Sequence, residues 1–165
     1  IIGLAIVMVY MLFFYKFAGL IADIALTVYM GLVFLILAGF NATMTLPGIA
    51  GLILSIGMAV DANILIFERI KEEIGKGKTI FSAINTGFER ALSAILDANI
   101  TTVIAALVLF VVASGTVRGF AIVLLVGIFC SVVTAVFLTR YLLRLAARSS
   151  LIKGASYLGF KGVLK

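Results

Sequence analysis

Long apolar runs broken by short polar gaps set the pattern of this chain. Five runs stand out, over residues 1–15, 20–40, 46–67, 94–113 and 120–143. A membrane-spanning helix needs about 20 apolar residues, which four of the runs supply. The first is short, as though its start were cut. The gaps are of two kinds. Residues 16–19 form a tight basic turn, and 68–93 form a long charged loop. By contrast, residues 41–45 carry no charge and 114–119 carry only Arg118. Within the long loop, Gly75 and Gly77 interrupt the helical pattern and Thr79 is placed to cap a new helix. Ile80, Ile84 and Phe88 then recur every four residues, with Phe81 beside them. That stripe predicts an interfacial amphipathic helix, either a membrane-surface elbow or a docking site for a cytoplasmic partner.

Composition narrows the class. Of 165 residues 64% are hydrophobic and 12% charged, and the mean hydropathy is +1.32. A charged share about half of the usual ~25% does not suit a soluble domain. The fold class expected is an all-α integral membrane bundle of five transmembrane helices. Twelve of the thirteen Lys and Arg residues fall in 16–19, 68–93 and the segment from Arg140 onwards. Positive charge stays cytoplasmic, so the long loop and a basic tail over 144–165 are expected inside. The excess charge of +6 is explained by topology and lipid headgroups, not nucleic acid. The chain begins with Ile1 inside an apolar run, with no basic leader and no cleavage site. It reads as a piece of a longer protein lacking an N-terminal part on the outer face. The chain has one cysteine, Cys130, which reads as a buried structural thiol, and no His, so no metal site or cofactor is expected.

One carboxylate stands inside the third run. Asp61 lies 15 residues after Leu46, with Glu68 the next charge. That spacing puts it about 22 Å into a core of about 30 Å. A charge near the bilayer centre costs at least roughly 2.5–3.5 kcal/mol. Two readings stand: a proton carrier in a transport cycle, or a carboxyl held neutral or paired with a polar group on another helix. The 3.6-residue period places Leu54, Gly57, Met58, Ile64 and Leu65 on the Asp61 side. Gly51, Ser55, Ala59 and Asn63 form a separate ladder that favours close helix packing. Gly57 leaves room one turn before Asp61. Asp97 reads as a helix N-cap for the fourth span. Asn99 and Thr102 are placed to hydrogen-bond towards the Asp61 helix. Asp23 reads as interfacial. Gly127, Ser131, Ala135 and Thr139 form a second packing ladder, and Arg118 is placed to contact headgroups.

These motifs resemble a known family. "TLPGIAGLILSIGMAVDANILIFERIKEE" (45–73), "ILDANITT" (95–102) and "GTVRGFAIVLLVGI" (115–128) resemble the signatures of SecD, in order and spacing. "FYKFAGLIAD" (14–23) is similar to the turn between its second and third spans. SecD is a membrane subunit of the bacterial SecD–SecF protein-export complex, in the resistance–nodulation–division superfamily of proton-driven transporters. The resemblance implies the second to sixth spans of a six-span half, with a large extracytoplasmic domain missing ahead of them. It implies a transport subunit, not an enzyme, in the bacterial cytoplasmic membrane. Its partners would be SecF as the second half of the bundle, a SecYEG-type channel, an unfolded preprotein and lipids. It maps the proton-responsive aspartate onto Asp61; the helix pattern itself offers Gly57, Asn63, Asp97, Asn99 and Thr102 as supporting polar and packing residues. Tyr29 stands where the family often has Asn, which puts polar contacts from that span in doubt. A proton-driven small-molecule or lipid exporter of the same superfamily and a non-coupling scaffold are the rivals.

Overall fold

The computed structural model describes residues 2–40 and 44–148, all in helices or short links, with no strand among them. The helices are α1 (Ile2–Gly39), α2 (Leu46–Gly75), α3 (Ile80–Val112), α4 (Thr116–Val133) and α5 (Arg140–Arg148). A π-helical turn over Thr134–Thr139 joins the last two, so Thr116–Ala147 forms one apolar rod. Four helical stretches are long and apolar enough to cross a membrane: α1, α2, α3 and this rod. Large apolar side chains such as Phe13, Leu35, Val111 and Phe137 lie exposed on the outer surface. In water such a surface would be strongly unfavourable, whereas lipid solvates it.

α1 is broken at Lys16, whose φ of 47° and ψ of −114° are not helical. The break falls in the basic turn expected there. Its arms, 2–15 and 17–39, lie against each other. Eight residues of unbroken helix would separate Met11 from Gly19 by about 12 Å. Instead, a Cβ at Gly19 would collide with the Met11 carbonyl group. Tyr15 ties the first arm to α2 by donating to Glu68 Oε1 at 3.0 Å and packing on the Phe67 ring.

α2 is the central helix, packed most extensively on α4 and α3. Thr45 caps it by accepting from the Gly48 N–H at 3.2 Å, and Pro47 lies in the first turn where a missing N–H costs nothing. The ladder Gly51, Ser55, Ala59 and Asn63 is buried throughout. It meets the second ladder on α4, where a Cβ at Gly127 would overlap Ser55 Cβ. Small residues on both sides therefore set the α2–α4 separation. Ser55→Leu is expected to destabilise the bundle by about 1–3 kcal/mol, because the contact has no spare volume. Thermal unfolding in detergent, followed by circular dichroism, checks this; an unchanged midpoint would remove the ladder as a tight interface.

The segment expected as a charged loop over 68–93 is helical except for residues 76–79. Its charges suit a helix, since Arg69–Glu72 and Lys71–Glu68 pair at i,i+3 spacing. Thr79 does cap a new helix, accepting from the Ser82 N–H. That helix is no separate interfacial element. It runs unbroken to Val112, and Ile84 and Phe88 are buried in the bundle core, not laid on a surface. Asp97 is therefore no N-cap but an exposed residue in the middle of α3. The last span also exceeds its expected end, continuing as helix into α5. Beyond Arg148 the expected basic tail lies outside the described residues.

The π-helical turn has a local cause. Thr134 Oγ1 donates back to the carbonyls of Cys130 and Ser131 at 2.9 and 3.1 Å, competing with the helical ladder. The wider turn carries Thr139 onto α2, where its hydroxyl donates to Asn63 Oδ1 at 3.0 Å.

Candidate membrane carboxylate site

Asp61 lies midway along α2, with 15 residues of the helix before it and 14 after. The helix period that buries Ser55, Ala59 and Asn63 turns Gly57 and Asp61 outwards, and both are exposed. Asp61 has no hydrogen-bond or ion-pair partner among the described residues. It stands on a ridge between two grooves. One, of about 270 Å³, runs between α2 and α3 and is lined by Asp61, Met58, Leu65, Asn99 and Thr102 among others. The other, of about 460 Å³, lies between α2 and the first arm of α1, where Gly57 and Asp61 face Leu4 and Val7. A Cβ at Gly57 would meet nothing within 4 Å, so the space expected beside Asp61 is present.

The structure brings Asp61 together with Asn99 and Thr102 in one groove and with Gly57 in the other, and leaves Asn63 and Asp97 apart from them. Asn63 points towards the π-helical turn, donating to the Ala59 carbonyl at 3.2 Å and accepting from Thr139. Thr102 does not reach towards α2; its hydroxyl donates to the Ala98 carbonyl on its own helix at 3.2 Å. Asn99 is buried in the groove wall, so it is the amide nearest in kind to a partner for a carboxyl there. Its other side borders a third groove of about 430 Å³ between α3 and α4. Among the described residues, this mid-helix carboxyl is exposed, unpaired and flanked by open grooves, so a group in either groove can reach it without breaking internal contacts.

Three polar features escaped the sequence reading. Asp23, expected at an interface, is buried, with neither carboxylate oxygen hydrogen-bonded. Tyr29, where a polar contact was in doubt, is buried and donates to Ser55 Oγ at 2.8 Å. Ser55 in turn donates to the Leu52 carbonyl at 2.9 Å. Glu73, 1% exposed, is held by Lys76, Lys78 and Arg90, each at 2.6 Å. Lys76 was legible from its i,i+3 spacing; Lys78 was not, because it reaches Glu73 from the link after α2 ends. Arg90 is not, because it reaches Glu73 only after the α2–α3 hairpin closes. Arg118, expected to contact headgroups, lies 4.3 Å over the Phe110 ring.

Comparison with known proteins places this arrangement. The family of protein export membrane proteins SecD/SecF, C-terminal, matches residues 1–149. The chain is similar to protein translocase subunit SecD of Acidaminococcus fermentans, 51% identical over 160 residues, covering 97% of this chain and 38% of that protein. It is 52% identical over 149 residues to protein translocase subunit SecDF of Bacillus subtilis, covering 90% of this chain and 20% of that protein. Among solved structures, SecDF from Thermus thermophilus, a translocon-associated membrane protein, superposes with a TM-score of 0.88 at 41% identity. That match covers 92% of this chain and 21% of the other. The chain thus spans well under half the length of these relatives.

Proposed function

The chain belongs to the SecD/SecF C-terminal family, as the C-terminal membrane part of SecD, and from that premise we propose that it couples the proton-motive force to preprotein translocation. The observation that carries the reading is the exposed, unpartnered Asp61 between two grooves. Asp61 is the proton-responsive group, with Gly57, Asn99 and Thr102 shaping its surroundings. Asn63 braces its helix from behind, and Asp97 marks the outer face of α3.

The partner half is SecF. Support comes from relatives in which the two are named as one protein, SecDF. It also comes from α3, of whose most apolar window only 11% is buried, against 44% for α1 and α2. Each arm of α1 makes its own pass, so the bundle has five spans, and the link at 76–79 and α5 face the cytoplasm by the positive-inside rule. A SecYEG-type channel and an unfolded preprotein complete the machine. Protonation of Asp61 alters the attraction between the halves, and with it the position of whatever the halves carry.

Crosslinking tests the geometry of this reading. Gly57→Cys and Asp61→Cys are expected to crosslink to SecF spans in the full-length complex. Ser55→Cys and Ala59→Cys are expected to link only within their own chain. Crosslinks to SecF from the second pair alone would put the Asp61 face away from the partner and sink the mechanism.

A further inference from the structure

The end of the bundle that carries the α2–α3 link holds most of the charge, in Arg69, Lys71, Lys76, Lys78 and Arg90. There α5 packs on the first turns of α3. Arg144 Nε and Nη2 both donate to Asn85 Oδ1, at 3.0 and 2.7 Å. Asn85 fixes the guanidinium plane, and a guanidinium has five N–H donors, so its remaining donors are left for another acceptor. No carboxylate pairs with Arg144 among the described residues. Arg140, one turn earlier, has none either. Its guanidinium stacks 5.0 Å from the Phe88 ring, and its Nε is buried without a hydrogen-bond partner. Among the described residues, two arginines one helical turn apart are thus unneutralised.

Around Arg144 runs a groove of about 270 Å³ lined by Phe81, Tyr141 and Leu145. All three are exposed, at 47%, 64% and 52%. The combination selects its ligand. A free anion would answer the charge and leave three apolar side chains uncovered. A plain acyl chain would cover them and leave the charge. The chain after Arg148 carries Lys153, Lys161 and Lys165 and no acid, so its charge argues against it as the occupant. An acidic phospholipid meets both demands.

The geometry points to a binding site for an acidic phospholipid between the start of α3 and α5. The headgroup phosphate takes the Arg144 N–H donors that Asn85 leaves free, and an acyl chain lies along Phe81, Tyr141 and Leu145. The site is separate from the Asp61 grooves, and its lipid pins α5 to α3 at the charged end of the bundle.

Native mass spectrometry of the full-length complex, purified in mild detergent with equal phosphatidylglycerol and phosphatidylethanolamine, tests this. The complex is expected to retain one more phosphatidylglycerol than its Arg144→Gln variant, whose affinity for that lipid falls about tenfold. Arg118→Gln, which alters the arginine over Phe110, should retain the lipid in full. Because Arg144→Gln also loses the tie to Asn85 and could unfold locally, Tyr141→Ser provides a second reading at an exposed position. It too should lower retention. Unchanged retention in either folded variant, equal retention of phosphatidylethanolamine at this site, or displacement of the lipid by inorganic phosphate would overturn the proposal.

Discussion

Asp61→Asn is expected to leave the complex assembled and to abolish the proton-dependent part of export. The substitution keeps the shape of the side chain and removes its titration. Asp61 holds no internal hydrogen bond or ion pair among the described residues, so the fold loses nothing specific. Its stability should change by no more than about 0.5 kcal/mol, as for other exposed positions without special contacts. Function should behave differently, because an amide cannot alternate between charged and neutral forms as the gradient demands. The measurement is preprotein translocation in membrane vesicles with and without an imposed proton gradient. Wild-type vesicles should respond to the gradient, and Asp61→Asn vesicles should export at the same basal level in both conditions. Full gradient-dependent export by the variant would make Asp61 a packing group and the subunit a scaffold. Transport of a small molecule or lipid, without any effect on preprotein, would favour an exporter instead.

The face that presents Asp61 was legible because one helical period does two things at once. Small residues at 51, 55, 59 and 63 mark the side that must pack, and the same period then leaves Gly57 and Asp61 on the open side. Helix boundaries were less legible. The charge run from Glu68 reads as a loop when polar residues are taken to mark one, yet i,i+3 pairs make it compatible with helix. The sequence around Asp97 carries the residue types of a cap. What decides against it is the earlier start at Thr79, after which nothing in the chain stops the helix until Val112. Contacts between distant segments left no signal along the chain. Tyr29 with Ser55, Thr139 with Asn63 and Arg90 with Glu73 each depend on how two helices meet. The π-helical turn has a hint in Thr134, but a threonine in a helix does not by itself declare which carbonyl it will bond.

Gly19→Ala is expected to be among the most damaging single-methyl changes in this bundle, and Gly57→Ala among the least. Both positions are helical glycines, so the change in intrinsic helix preference is similar and favours alanine by about 1 kcal/mol in each. Their surroundings differ. At Gly19 the new Cβ would collide with the Met11 carbonyl carbon and oxygen and press on the Leu12 nitrogen. Those are backbone atoms of the other arm of α1, and no rotamer change moves them. The arms must separate, and Met11, 1% exposed, loses its packing as they do. Overpacking of this kind costs typically about 1–3 kcal/mol, and an unyielding backbone puts Gly19 at the upper end. At Gly57 the new methyl meets nothing within 4 Å, so only the helix preference acts there. Thermal unfolding of the two variants in the same detergent separates these cases. Circular dichroism is the suitable probe, since the chain has no Trp to report by fluorescence. The Gly19 variant should melt well below wild type and the Gly57 variant at or slightly above it. Equal midpoints for the two would mean that the arms of α1 do not touch at Met11, and the fold-back at Lys16 would lose its physical basis.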